Sequence, residues 1–599
     1  MSGANLALRL QPYSCFMLAF LLSALLLTNS GPKTDWRTPF EKGDGNTTTT
    51  YAECIAYYQQ LDAAYPEITM REAGTTDIGQ PLHEVVVSLD GDADPGSVRR
   101  KNRRVVFIQN GIHPGEPEGI DASMMLARDY VQKKELRQQL ENVTLVIIPA
   151  YNVDGMLNRS ATSRANQNGP REYGFRGNAR NLDLNRDYIK QDSRNARSFA
   201  QLFQRWQPDL FLDTHTSNGA DYQYVMTLID TQKDKLHPAL SQYLQKTMLP
   251  DLYSGMAKKK WPLTPYVDFE GRTPESGLRG FLETPRYSTG YTTLFNTIGF
   301  ITETHMWKPF TPRVRATYDF LDLLVHLAHR DAAQLAQVRA TADKQLRTQT
   351  EFPLGWQLDT AAAERVSFKG YEGRTKTSEV SGQPRLYYDR KAPFTRPVNF
   401  YNTYRPTATV RRPAAYLIPQ AWGEVVERLQ LSNVHLQRLG RDTTLTAEVY
   451  YVEDYKTAPR PYEGHYLHSQ VKLRTEQQPL AFRRGDYIAY LDQPALRYLV
   501  ETLEPQGTDS FFAWGFFDSI LQQKEHYSDY IFEDLASELL KRDPQLRQQL
   551  EARRQTDPVF AKSGVAQLDF VYQHSPYYEK SHLRYPVARW QGGQLPVEP

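Results

Sequence analysis

Cysteine is nearly missing from this chain: Cys15 and Cys54 are the two in 599 residues. A protein so poor in thiols takes its stability from hydrophobic cores, which a chain this long can supply. Net charge is scarce as well. The formal value is +2, and no long basic run is interleaved with aromatics. The densest one, Lys258-Lys259-Lys260, reads as a solvated turn. No nucleic-acid partner is expected. No internal repeat is evident, and the HExxH zinc signature is absent. The N-terminal apolar stretch, Cys15 to Leu27, falls short of the roughly 20 residues a membrane-spanning helix needs.

What is present fits a soluble globular protein: 40% hydrophobic and 23% charged residues, over a length that suggests two to four domains. Arg9, the apolar stretch 15–27 and the small or polar exit Thr28-Asn29-Ser30-Gly31 have the layout of a secretory signal peptide over residues 1–30. The competing reading is an uncleaved anchor. No Cys follows the apolar core, which disfavours a lipoprotein. Cleavage removes Cys15 and leaves Cys54 with no intramolecular partner. The expected location is secreted or periplasmic, with no stable membrane span after cleavage. Residues 31–50, with Asn46-Thr47-Thr48-Thr49-Thr50, read as a loose leader.

From residue 51 to 346, strand-like and helix-like patterns alternate. Short apolar runs at 104–109, 143–149, 209–213 and 299–304 read as buried strands. Helical patterns run from Pro117 to about Gln132 and from Ser193 to Trp206. Thr311-Pro312 opens a further helical pattern reaching about Leu346, with Thr as its cap and Pro in its first turn. Continuous apolar strands between amphipathic helices predict a three-layer α/β/α domain with a buried sheet. Residues 350–490 carry short β-prone runs broken by Gly, Pro and Asp, such as Leu445 to Val452, and read as a β-rich module. Residues 491–599 turn helical and end in a Tyr- and Pro-rich tail.

Four places in the first domain put chemically active residue types in or near predicted strand ends, where open α/β sheets bind ligands. Asn110 to Gly119 follows the strand 104–109 and carries His113 and Glu116, three apart on a Gly/Pro turn. That spacing can aim an imidazole and a carboxylate at one metal ion, or merely cap the next helix. Asp213-Thr214-His215 ends a strand, so His215 is a rigid third ligand or a structural histidine. Two His and one carboxylate with an open position suit a catalytic zinc ion. Arg176 to Arg186 is dense in guanidinium and amide donors, which suit a carboxylate; Arg180 in its middle reads as solvated. Glu303 stands in the apolar strand after Gly299, as a general base or as an edge residue. His305 shares its face, with its role open.

Together these segments resemble the zinc carboxypeptidase family typified by carboxypeptidase A, over roughly residues 50–345. His113-x-x-Glu116, Asp183-Leu184-Asn185-Arg186, His215 and Glu303 match its motifs, and Asn152-Val153-Asp154-Gly155 resembles its Asn-Pro-Asp-Gly turn with Val153 in place of Pro. The resemblance implies a secreted, bacterial-type member with a C-terminal extension. It implies Zn2+ held by His113, Glu116 and His215, with Asp183 behind His113. It further implies Arg176 on the scissile carbonyl, Asn185 and Arg186 on the substrate's terminal carboxylate, and Glu303 as general base. The implied substrates are peptides or proteins with a free C-terminal carboxylate. The family's substrate-contacting Tyr has no clear counterpart; Phe281, Tyr287 and Tyr291 lie near its spacing. An amidase or cell-wall peptide hydrolase using the same site is the second reading, and a non-catalytic binding protein the third. No ligand and no Glu303 is lost, which speaks against the third.

Overall fold

The computed structural model of the protein describes residues 34–598; the proposed signal peptide lies outside them. The chain divides into units of residues 1–37 and 38–599. In the first, residues 34–37 form no helix or strand, and Arg37 donates to Asp35. The rest of this description concerns the second unit.

Seven strands build its central sheet: β1 (Ile68–Thr75), β2 (Pro81–Val87), β3 (Arg104–Gln109), β4 (Val143–Ile148), β5 (Leu210–Ser217), β6 (Met226–Asp230) and β7 (Ile298–His305). Their order is β1-β2-β4-β3-β5-β7-β6. The four middle strands β4, β3, β5 and β7 run parallel, and the outer pairings are antiparallel. Every residue of β3, β4 and β5 is buried. This is why those runs are apolar without alternation: both faces of the sheet are covered.

The helices that cover it are α1 (Tyr51–Ala64), α2 (Glu118–Gln132), α3 (Arg194–Trp206), α4 (Phe310–Arg330) and α5 (Ala332–Leu346). Side-chain alternation tells the faces apart. Phe107 and Phe211 meet Phe199 of α3. On the opposite face, Phe300 meets Phe320 of α4, and Gly119 of α2 sits so close to Thr214 that a Cβ would collide with it. The chain leaves β3 toward β4 on one side and later returns to β5 on the other. That reversal opens a crevice at the carboxyl ends of β3 and β5.

Two local expectations change. The helical pattern 311–346 is two helices broken at Asp331 (φ −99, ψ 15). The first begins at Phe310 after Pro309, so Thr311 lies inside its first turn and donates instead to the Gly45 carbonyl. Residues 38–50 are not loose. Thr38 and Glu41 form a capping box on a short helix, and Thr50 and Glu53 form one on α1. Thr48 and Thr49 are buried and donate to the buried Asp121 carboxylate. The threonines are there to satisfy polar groups that water cannot reach.

The C-terminal half packs onto this scaffold. β8 (Glu364–Thr377) and β9 (Pro384–Tyr401) make a long hairpin, and β9 pairs in parallel with Leu278–Arg279 of the first half. β10 (Thr443–Thr457) and β11 (His468–Phe482) pair within a six-stranded sheet. That sheet takes in Ala588–Trp590 from the tail. One apolar cluster runs from Val86, Phe107 and Phe199 through Leu429 and Tyr498 to Tyr585. The α3 face of the seven-stranded sheet therefore shares its core with the second half. Helices Asp529–Arg542, Pro544–Thr556 and Gly564–Gln573 surround a smaller core around Phe532, Leu550 and Tyr572.

Candidate active site

The loop after β3 turns sharply at Gly111 (φ 66), a left-handed conformation that glycine adopts without steric cost. The turn that follows brings the Glu116 N–H onto the His113 carbonyl at 2.8 Å, which places both side chains on one side of the loop. The Asn152-to-Gly155 turn fastens this loop to the next one. The Asn152 amide donates to the carbonyls of Ile112 (3.3 Å) and Arg176 (2.9 Å) and accepts from the Gly155 N–H at 2.8 Å. Sequence marked that turn by resemblance alone; its physical task is to hold the His113 and Arg176 segments together.

His113, Glu116 and His215 are buried and converge. One ligand atom from each lies within 4.8 Å of the others, and the two imidazole rings are 4.9 Å apart. Both rings turn Nδ1 toward the Glu116 carboxylate, at 3.4 Å from His113 and 3.2 Å from His215. Each Nε2 faces another carboxylate: Asp183 Oδ1 hydrogen-bonds His113 at 2.9 Å, and Asp213 Oδ2 stands at ion-pair distance from His215, 3.0 Å, without hydrogen-bond alignment. A carboxylate on the far nitrogen of each imidazole is the usual support of a metal-binding histidine. His113 Nδ1 is buried yet has no hydrogen-bond partner among the described residues. The donor set and that orphaned nitrogen fit a zinc ion.

The electrostatics agree with a site built for a cation. Burial works against the ionised form of Glu116, but Arg164 and His113 hold its carboxyl well below the usual range. Burial alone would lower the His215 imidazole; Asp213 and Glu116 outweigh it and raise it well above the ordinary value. Asp183 is likewise held low, against burial, by His113 and Arg176.

These groups open onto a cavity of about 540 Å³. Glu303 lies on its wall, because β7 pairs it with His215 on the adjacent parallel strand and their side chains share a face. Burial pushes its carboxyl up to about 8, and no cation lies within ion-pair distance of it among the described residues. Arg176 also faces the cavity. Its Nη2 is 2.9 Å from Asp183 Oδ2, and its Nη1 is 3.6 Å from Glu116 Oε1. Asn185 and Arg186 stand on a single 3-10 turn capped by Asp183 and line the same space. Arg180 is not among the lining residues.

Of the three aromatic candidates, Phe281 and Tyr287 line the cavity. Tyr287 lies under the Arg186 guanidinium at 4.5 Å. Tyr291 is core: it packs on Phe203 and Tyr498 and bonds Ser432. His305 has no place in the cavity either. Its Nδ1 accepts from the Trp307 N–H and its Nε2 meets the Ala220 carbonyl at 2.8 Å. Burial lowers it to about 4, so it is a neutral structural histidine.

Two neighbours were not read from sequence. Asp213 was visible, since residues two apart on a strand share a face and Asp213-Thr214-His215 has that spacing. Arg164 was not: its Nη1 sits 2.7 Å from Glu116 Oε1, but it comes from a Ser-, Arg- and Asn-rich loop with no pattern to mark it.

Residues 54–248 match the family model described as Zinc carboxypeptidase. That span contains His113, Glu116, Arg176, Asp183, Asn185, Arg186 and His215 and ends before Glu303. Among curated proteins the chain is similar to Carboxypeptidase 2 of Trichophyton rubrum, 22% identical over 489 residues, covering 79% of this chain and 85% of that protein. The corresponding protein of Trichophyton tonsurans is 23% identical over 426 residues, covering 68% and 73%. Among solved structures it is similar to a metallo-carboxypeptidase from Pseudomonas aeruginosa, at 15% identity and a TM-score of 0.36, over 48% of this chain and 70% of that one. The buried His–Glu–His cluster lies within residues 54–248, the segment that matches the Zinc carboxypeptidase family model.

Proposed function

We propose that this protein is a zinc-dependent metallocarboxypeptidase that removes C-terminal residues from peptides with a free terminal carboxylate. The observation that carries this reading is convergence on one cavity. A His–Glu–His donor set, the Glu303 carboxyl group without a cationic partner among the described residues, and the Asn185 and Arg186 side chains all line it. Zinc, when bound by His113, Glu116 and His215, would polarise the scissile carbonyl and acidify the attacking water.

The chain's own groups do the rest. Glu303, made more basic by burial, takes a proton from water as the oxygen adds to the carbonyl carbon. It then returns that proton to the peptide nitrogen as the C–N bond breaks. Arg176 donates toward the oxygen on which negative charge develops, a contact of a kind worth about 2.7–4 kcal/mol. Arg186 and Asn185 hold the terminal carboxylate, which sets the register of cleavage. Ile229, Tyr266, Phe281 and Ile301 form an apolar side of the cavity, and among the described residues Glu116 and Glu303 are the carboxylates that line it. This composition favours an apolar or aromatic C-terminal side chain over a basic one.

Glu303→Gln keeps the volume and removes the base. Turnover should fall by roughly 10²–10⁴-fold with zinc content unchanged; a variant as active as the wild type would sink the role of Glu303. We also infer export from the signal-peptide layout of residues 1–30. N-terminal sequencing of the mature protein, expected to start near residue 31, checks it.

A further inference from the structure

The segment joining β10 to β11 reaches back to the active site. Its tip is the turn Tyr462-Glu463-Gly464-His465. The Tyr462 N–H donates to the His465 carbonyl at 2.8 Å, and the His465 N–H returns to the Tyr462 carbonyl at 3.1 Å. Both central residues have positive φ, 50 for Glu463 and 83 for Gly464, the geometry of a two-residue type I′ hairpin turn. Asn, Asp or Gly ordinarily takes the first of those positions. A glutamate there accepts backbone strain, which persists only when its surroundings hold it.

The surroundings do. Glu463 Oε2 accepts the Asp183 N–H at 2.8 Å. His465 Nε2 lies 2.7 Å from Asp192 Oδ2. Between them, Tyr462 Oη accepts from Arg186 Nε at 2.9 Å. The Tyr462 ring is itself fixed from behind. It stacks on Trp514 with ring centroids 6.3 Å apart. The Arg286 guanidinium, pinned by Asp509 at 2.7 Å, lies 5.6 Å from the Tyr462 ring and 5.0 Å from that of Trp514.

This leaves Arg186 oriented but not spent. Its Nε is used by Tyr462, one Nη1 hydrogen by the Asn185 carbonyl at 2.8 Å, and its face by Tyr287. Among the described residues no carboxylate lies within ion-pair distance of it. Both Nη2 hydrogens and one on Nη1 are without a hydrogen-bond partner among the described residues, so the guanidinium keeps donors for a carboxylate. Without the phenol oxygen the guanidinium could rotate about its last bonds, and binding would have to re-order it.

We propose that Tyr462 is a positioning residue for Arg186, so that the C-terminal half of the chain supplies a working part of the terminal-carboxylate clamp. The proposal rests on the reading of Arg186 as that clamp. It gives the second half a task beyond sharing a core with the first.

The test is Tyr462→Phe in the full-length zinc enzyme, which keeps the ring and its stacking and removes only the acceptor. KM for a peptide ending in a free Phe carboxylate should rise by at least about tenfold, the lower end of the loss for a hydrogen bond to a charged group. Turnover at saturation should stay within about twofold, because the orientation is needed for binding rather than for chemistry. Inhibition by 3-phenylpropanoate, which carries the ring and carboxylate but no scissile bond, should weaken by the same factor. Zinc content and thermal midpoint should match the wild type. If KM and the inhibition constant are unchanged in Tyr462→Phe, or if turnover falls while both hold, the inference is overturned. A wild-type enzyme that treats the free peptide and its amidated twin alike overturns the reading of Arg186, and this inference with it. A wild type that prefers the free peptide while Tyr462→Phe is silent overturns the inference alone.

Discussion

Asp213 is the sharpest place to test how the metal site is built. It is fully buried, and its Oδ2 stands 3.0 Å from His215 Nε2. If that carboxylate fixes the ring so that Nδ1 faces Glu116, weakening it should cost zinc affinity and little else. Asp213→Asn is the mild perturbation. An amide oxygen can still accept from His215, and its nitrogen then needs an acceptor. Gln109 supplies one: its side-chain nitrogen contacts Asp213 Oδ1 at 3.3 Å, while its Oε1 is buried and unpartnered among the described residues. An amide flip of Gln109 would satisfy the new nitrogen, so the fold should survive and only the charge is lost. Asp213→Ala removes the brace altogether. Partners of this kind are worth about 10–100-fold in metal affinity, or about 1.4–2.7 kcal/mol. The Asn variant belongs near the lower bound and the Ala variant near the upper. Zinc titration against a chromophoric competitor at neutral pH reads both, with thermal unfolding of the metal-free proteins as the control for folding. An Ala variant whose zinc affinity stays within about twofold of wild type would refute the reasoning, since a carboxylate that orients a metal-binding imidazole should not be idle.

Zinc affinity should also depend on pH. In the metal-free protein the raised His215 imidazole carries a proton at neutral pH, and metal binding must release it. The dissociation constant should therefore fall as pH rises above the ordinary imidazole range, by up to about tenfold per pH unit; a flat profile would contradict the raised His215 imidazole. Arg176→Ala should lower kcat by roughly 10²–10³-fold with a smaller change in KM, measured on the same free-carboxylate peptide. A pure KM effect would move Arg176 from the reacting carbonyl to substrate binding.

Much of the catalytic half was legible because its physics is local. Val105 to Ile108 and Val143 to Ile148 are β-branched or apolar at every position, as a sheet buried on both faces requires. His113 and Glu116 sit three apart on a turn, and alternation along β5 puts Asp213 and His215 on one face. Other features had no local signal. Nothing in Arg330-Asp331-Ala332 is a helix breaker, so the interruption at Asp331 was invisible. The threonines before α1 looked like a loose polar leader because their partner, Asp121, lies more than 70 residues away in sequence. Tyr462 and Glu463 reach Arg186 and Asp183 across 276 and 280 residues, a separation that no periodicity or motif spans. The rule that emerges is physical: side chains placed by their own strand or turn can be read, and those placed by a distant loop cannot.

The central claim is hydrolysis confined to the end of a chain. Its most direct measurement is mass spectrometry of paired peptides, one with a free C-terminal carboxylate and one amidated, digested by the zinc-loaded protein. The account predicts stepwise loss of C-terminal residues from the free peptide, fastest where they are apolar or aromatic, with the amidated twin left intact. Internal cleavage, or equal attack on the amidated peptide, would contradict it.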